Sequence, residues 1–179
     1  IWIKGDDECP AYTASSKGFS RSDEFRARDD ATRGFYERFY DVLAPDVYNL
    51  KREDVSYARA FDVFDLVNVA RIHNATSPAR NVSDADLAQL RTLADSAELG
   101  LNWNASEPMR AVGAKTLSGV VLRQLNATVS SRGAAPKLSL LAGSYDTFLA
   151  FFGLTGLLDT GADFHGLPEY ASSMAFELF

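Results

Sequence analysis

A short polar turn near the end of the chain carries the residue best suited to chemistry. Residues 144–147, with the sequence Ser-Tyr-Asp-Thr, separate the apolar run Lys137–Gly143 from a second run, Phe148–Leu154. This pattern predicts a strand, a turn and a helix. Ligands of open α/β proteins bind beyond the carboxyl ends of strands, and a helix N-terminus attracts anions. We therefore expect Asp146 to act on an anion, although an Asp in this place is equally typical of a helix N-cap that binds the backbone N–H of Phe148 or Leu149.

The segment from Leu138 to Phe179 resembles the C-terminal part of the histidine acid phosphatases, branch 2 of the histidine phosphatase superfamily. The resemblance rests on the apolar run, the Tyr-Asp-Thr turn and the sequence Leu-Pro-Glu-Tyr-Ala-Ser-Ser at residues 167–173. Shorter similarities precede it at Cys9-Pro10 and His73-Asn74. In the family the turn reads His-Asp-Thr, whereas Tyr145 occupies the His position here. The family's Arg-His-Gly-x-Arg nucleophile motif does not occur in the chain.

The resemblance implies a role for two residues of the turn. In these phosphatases a histidine attacks phosphorus to form a phosphohistidine, arginines neutralise the phosphoryl oxygens, and the Asp of the His-Asp pair protonates the leaving alcohol. Asp146 then takes the catalytic general-acid position, and Tyr145 takes the substrate-binding position of the phosphate-contacting histidine. A phenol donates one hydrogen bond but lacks the positive charge of an imidazolium. We expect the parent protein to hydrolyse phosphomonoesters and this chain alone to be inactive.

Two other functional hypotheses stay open. The chain can belong to a non-catalytic secreted or surface binding protein, a pseudophosphatase, in which the replacement by Tyr145 reflects lost chemistry. It can also be a helical domain whose similarity to the family is accidental. Turnover of a phosphomonoester by the unmodified parent would exclude the pseudophosphatase.

The expected fold is α/β and rich in helix. Residues 1–136 are predicted to form a mainly helical, cap-like region. Residues 137–179 are predicted to form a strand-helix-strand unit from the edge of a phosphatase-type sheet, with the second strand at 172–179. Two strands make only a marginal sheet. The expected partners are therefore the missing N-terminal part of a longer parent or a second copy, pairing across exposed sheet edges.

Apolar residues at a three-to-four-residue spacing predict the helices of the first region. They are expected at about 22–43, ending near Pro45, at 51–72, at 84–99 after an N-cap at Ser83, and from Ser106-Glu107-Pro108 onward. Residues 1–12 are predicted to form an extended strap.

Charge and composition limit the expected class of binding partner and the expected cellular location. A net charge of -6 disfavours nucleic-acid binding, because phosphates would be repelled. Four Asn-x-Ser/Thr sequons predict glycosylation at Asn74, Asn81, Asn104 and Asn126. We therefore expect passage through the secretory pathway to a secreted, lysosomal, endosomal or cell-surface location. The chain is expected to be a processed or recombinant piece of its parent, since no signal peptide precedes Ile1.

The remaining reactive side chains predict no cofactor and no metal site. Cys9 is the only cysteine, so an internal disulfide is excluded. In the family, the cysteine at the position of Cys9 forms a disulfide with a cysteine at the position that Ser173 occupies here. The resemblance therefore implies that Cys9 is a free thiol or is bonded to a missing part of the parent. A buried structural thiol is the alternative. His73 and His165 are interpreted as a helix-end residue and a turn residue. Two isolated histidines and one cysteine do not form a metal-ligand cluster.

Overall fold

The computed structural model describes residues 5–43, 50–132 and 134–178, and helices are the only regular elements in this part of the chain. Its α-helices are α1 Pro10–Ser20, α2 Asp23–Glu37, α3 Ala60–His73, α4 Asp84–Asn102, α5 Val112–Ser130 and α6 Tyr145–Leu154. Short 3-10 helices lie at Arg52–Asp54, Tyr57–Arg59, Pro78–Asn81, Pro108–Ala111, Leu157–Asp159 and Ala162–Phe164. None of the described helices combines the length and the apolar character that crossing a bilayer requires.

The chain divides into two compact units, of which one is the continuous stretch Lys17–Leu101. Its core comes from α2, α3 and α4 and from the turns around them. The largest fully buried side chains there are Tyr36, Leu43, Val63, Val67 and Leu90. Because apolar residues recur at helical spacing, each helix buries one face while its backbone hydrogen bonds close within the helix.

Serine residues begin two helices of this unit. The hydroxyl of Ser22 accepts the N–H of Phe25 at 3.1 Å and caps α2. Ser83 precedes α4, and its hydroxyl accepts the N–H of Asp86 at 3.1 Å while donating to the carboxylate of Asp86 at 2.9 Å. The N-cap expected at Ser83 is thus confirmed, and α4 continues to Asn102 rather than ending near residue 99.

The other unit combines Ile1–Ser16 with Asn102–Phe179, and α6 is its most buried helix. This helix packs on α5 and on the 3-10 helix Pro108–Ala111. Gly153 allows the indole of Trp103 to lie against the α6 backbone, because a Cβ at this position would come within 2.3 Å of the ring. The ring of Phe176 meets that of Phe151 with centroids 5.6 Å apart, so part of the C-terminal segment packs on α6.

The expected α/β fold is wrong. Neither 137–143 nor 172–178 forms a strand, and the described residues contain no sheet. Leu138 and Leu140 are 79% and 89% exposed, which is the opposite of a strand buried in a core. A strand requires backbone N–H and C=O groups to pair with a neighbour. The apolar run indicated an extended backbone, but it carried no information about a pairing partner.

Three expectations about helices also need correction. Residues 51–59 form 3-10 helices and turns, so the helix predicted from Lys51 begins at Ala60. Part of the predicted strap is helical, since α1 begins at Pro10, where the missing proline N–H costs nothing. The helix predicted at 22–43 is shorter than expected, because α2 ends at Glu37 and residues 38–43 form turns. The first four residues of the strap, Pro45 and the last residue of the predicted second strand lie outside the described residues.

Candidate functional site

Asp146 lies in the first turn of α6 and is partly exposed. Ser144 is the N-cap residue, but its hydroxyl does not cap the helix backbone; it donates instead to Oδ1 of Asp146. The N–H of Thr147 donates to the same Oδ1 at 2.9 Å. Both donors therefore bind one oxygen of the carboxylate. The predicted capping contact was to Phe148 or Leu149, whereas the observed bond is to the neighbouring residue.

Tyr145 is the first residue of α6 and is also partly exposed. Neighbouring residues of a helix project about 100° apart around its axis. The structure brings both groups to one helix end. Together they provide one hydrogen-bond donor and one group that exchanges a proton, and the turn itself provides no positive charge.

The first turn of α6 also carries the positive end of the helix dipole. The carboxyl group of Asp146 already lies at this position and binds one of the backbone N–H groups of the first turn. A second anion at the same place would meet the negative charge of Asp146. Anion binding at this turn therefore requires either a protonated Asp146 or positive groups from elsewhere.

The other reactive side chains occupy structural positions. His73 is the exposed last residue of α3. Nε2 of His165 lies 2.7 Å from the carbonyl oxygen of Leu158, to which it donates within a turn. Cys9 is a partly buried free thiol just before α1, and Ser173 is exposed. Within the described ranges, no group of three or more His, Cys, Asp or Glu side chains is arranged to hold a metal ion.

The four sequon asparagines lie in different local structures. Asn74 directly follows α3, Asn81 ends a 3-10 helix, and Asn104 lies in the turn after α4. Asn126 lies within α5. Asn74, Asn81 and Asn126 are exposed, and Asn104 is partly exposed. The exposure of the four asparagines is therefore compatible with a glycan at each, but their backbone conformations differ.

The unit Lys17–Leu101 contains a polar cluster that was not predicted from the sequence. The hydroxyl of Tyr57 lies 3.1 Å from Oγ of Ser96, and the backbone N–H of Tyr57 donates to Asp29 at 3.2 Å. Burial raises the pKa of both Tyr57 and the neighbouring Tyr36. The Tyr36 hydroxyl has no hydrogen-bond partner among the described residues. Helical periodicity identifies Tyr57 only as an apolar residue, so it carries no signal of the polar contacts of its hydroxyl and backbone.

Comparison of the chain with protein-family models, with curated proteins and with solved structures gave no match. Support for a function therefore comes from the residues and the geometry of the chain itself.

Proposed function

We propose that Asp146 is the general acid in the hydrolysis of a phosphomonoester, within a protein whose nucleophilic histidine lies outside these 179 residues. The observation that carries this proposal is the position of the carboxylate, which is partly exposed in the first turn of α6 and held through one oxygen, Oδ1. A general acid must reach the leaving group and keep a fixed orientation. Both requirements are compatible with this turn.

In the proposed reaction, an imidazole nitrogen forms a bond to phosphorus and the bond from phosphorus to the ester oxygen breaks. The carboxyl group of Asp146 transfers its proton to the departing alkoxide, which leaves as an alcohol. Because Ser144 and Thr147 both donate to Oδ1, Oδ2 is the oxygen proposed to carry this proton. Tyr145 donates a hydrogen bond to a phosphoryl oxygen. Positive charge for the transferring oxygens must come from other residues.

The fold adds no support to this proposal. The resemblance implied a site at the carboxyl end of a strand, and the described residues contain no strand. The proposal therefore rests on the residue matches in 137–179 and on the geometry of Asp146. It also implies that the 179-residue chain alone does not turn over phosphomonoesters, because it holds no Arg-His-Gly-x-Arg motif.

The test compares two leaving groups in the natural polypeptide that contains these residues. An acid assists a poor leaving group far more than a good one, so Asp146→Asn should lower kcat/KM for an alkyl phosphate by about 10²–10⁴-fold at about pH 5. The loss on 4-nitrophenyl phosphate should be much smaller. Asp159→Asn, at the exposed end of a 3-10 helix, is the matched control and should change neither value. Equal losses on both substrates, or none, would refute the role of Asp146.

A second candidate function is association without catalysis, and the exposed apolar side chains of 137–143 and 172–178 favour it. Leu140 is 89% exposed, and Phe176 and Leu178 are about half exposed. Transfer of each large side chain from water into a contact stabilises it by about 1.5–3 kcal/mol. Since one chain presents two such segments, two copies can pack these surfaces against each other about a two-fold axis.

Sedimentation equilibrium tests this second candidate. The unmodified chain should form a dimer, and replacing both Leu138 and Leu140 by Lys should raise the dimer dissociation constant by at least about tenfold. Leu122→Lys is the control, because Leu122 is 60% exposed on α5, outside the two segments. If the unmodified chain were a monomer, self-association would be excluded. Phosphomonoester turnover by the unmodified natural polypeptide would exclude the pseudophosphatase.

A further inference from the structure

Two of the four sequons have the same tripeptide but different backbones. Asn74-Ala75-Thr76 and Asn126-Ala127-Thr128 both read Asn-Ala-Thr, and the first lies in a turn while the second lies in a helix. We propose that Asn74 and Asn104 are the principal acceptors of N-linked glycans, and that local structure keeps Asn126 and Asn81 largely unmodified. This inference concerns modification and is independent of the role proposed for Asp146.

The turn at Asn74 presents a complete acceptor. Its Oδ1 accepts the N–H of Thr76 at 3.1 Å and the hydroxyl of the same residue at 3.0 Å. All three residues of this sequon are exposed. Because the amide is planar, fixing Oδ1 toward Thr76 places Nδ2 on the opposite side of the group. The nitrogen that must be modified is thus separated from the contacts that hold the turn.

The turn at Asn104 repeats the main part of this arrangement. Its Oδ1 accepts the N–H of Ser106 at 2.8 Å, and its backbone carbonyl accepts the N–H of Glu107 at 3.0 Å. Ala105 and Ser106 are exposed, and Asn104 is partly exposed. A second sequon in the chain therefore has an Asn side chain bonded to its own hydroxyl-bearing residue.

At Asn126 the same residue types serve a helix. The hydroxyl of Thr128 donates to the backbone carbonyl of Gln124 at 3.0 Å, and the N–H of Ser131 donates to the carbonyl of Ala127 at 2.9 Å. Presenting this tripeptide as a turn would require breaking the last turns of α5. Local opening of this kind costs free energy, so the competent conformation is the minor one.

The sequon at Asn81 is restricted in another way. Its middle residue, Val82, is buried, and the hydroxyl of Ser83 belongs to the cap of α4 through Asp86. Drawing this tripeptide into an enzyme would expose Val82 and uncap the helix. Surface loops are the usual location of glycosylated sequons, and this segment is not free to behave as one.

The covalent step explains why the turn matters. Nδ2 of the asparagine forms a bond to the anomeric carbon of an oligosaccharide carried on a lipid diphosphate. The bond between that carbon and the diphosphate oxygen breaks, the lipid diphosphate leaves, and one amide proton passes to a base of the transferase. Nδ2 must therefore enter the transferase together with its sequon hydroxyl, and a chain segment already in an exposed turn needs the least rearrangement.

Secretion of the 179-residue chain from a eukaryotic cell line tests the proposal. Occupancy is measured at each sequon by enzymatic deglycosylation in heavy-oxygen water, followed by peptide mass spectrometry. Occupancy at Asn74 and Asn104 should exceed that at Asn126 by at least about fivefold, from the cost of local helix opening. Equal occupancy at Asn74 and Asn126, or no glycan at any sequon, would overturn it.

Alanine at the middle position of three sequons provides a matched set of variants. Ala127→Gly keeps the sequon and weakens α5, because glycine is unfavourable within a helix. This variant should raise occupancy at Asn126 several-fold, whereas Ala75→Gly should leave Asn74 unchanged. If Ala127→Gly weakened the helix by circular dichroism without raising occupancy, backbone conformation would not be the determinant and the proposal would fail.

Discussion

Leucines in two regions of the molecule show how differently the same residue type is used. In the unit Lys17–Leu101, Leu90 is completely buried, whereas Leu140 in the segment 137–143 is 89% exposed. A helix satisfies its own backbone hydrogen bonds and needs only a neighbour for its apolar face. An extended segment needs a partner for its backbone as well. Local sequence therefore determines the first region far more completely than the second.

The largest expected effect comes from truncating these two leucines. Leu90→Ala should lower the free energy of unfolding by about 2–5 kcal/mol, because it leaves a cavity in a packed core. Leu140→Ala should change it by about 0.5 kcal/mol or less, as at other exposed sites. Urea denaturation followed by circular dichroism measures both. Similar losses in the two variants would show that segment 137–143 is packed in solution.

The next effect concerns the buried hydroxyl of Tyr36. Tyr36→Phe should raise the free energy of unfolding by about 1–2 kcal/mol, since the hydroxyl is buried without a partner among the described residues. Tyr57→Phe is the control and should destabilise, because it removes the contact with Ser96. A destabilising Tyr36→Phe would mean that the hydroxyl is hydrogen-bonded in solution.

The raised pKa of Tyr36 also predicts that the stability of the folded chain changes at alkaline pH. Burial raises the pKa of Tyr36 in the folded chain, so the folded state keeps this proton when the unfolded state releases it. The contribution of this group is complete below about pH 10, the ordinary tyrosine pKa, and is lost as the pH rises from there toward the raised value. Above about pH 10, the free energy of unfolding of Tyr36→Phe should therefore fall less steeply than that of the unmodified chain.

Helix capping gives a smaller contrast between the two regions. Ser22→Ala removes the hydroxyl that accepts the N–H of Phe25, and it should cost about 1 kcal/mol. Ser144→Ala should cost about half of that or less, because this hydroxyl bonds Asp146 rather than the backbone of α6. Both are measured by thermal and urea unfolding. A larger loss for Ser144→Ala would identify the bond to Asp146 as a main support of α6.

The smallest expected effect is a change in the acid dependence of stability. Burial, and then the nearby Asp62, raise the pKa of Asp65 in α3. The folded state therefore binds this proton more tightly, and the stabilisation is complete below about pH 4 and lost as the pH rises through the raised pKa. Asp65→Asn should flatten the stability profile in that interval. If the free energy of unfolding of both chains had the same pH dependence, Asp65 would not be its cause.

Sequence patterns predicted the helical core well and the C-terminal part poorly. The helical spacing of apolar residues and the cap at Ser83 each depend on residues a few positions apart, so they can be identified locally. The position of Asp146 at the start of a helix was also predictable. Segments 137–143 and 172–178 were misassigned because strand formation depends on distant partners. The polar contacts of Tyr57 likewise involve residues 28 and 39 positions away.

The run Leu138–Ala142, in which Leu138 and Leu140 are exposed, has a consequence for the solubility of the protein. Short apolar segments with unpaired backbone groups are prone to β-aggregation, and natural chains commonly place charged residues or proline beside them. Pro136 and Lys137 stand directly before this run. These residues flank the run on one side, so replacing Lys137 by an apolar residue should increase aggregation at high protein concentration.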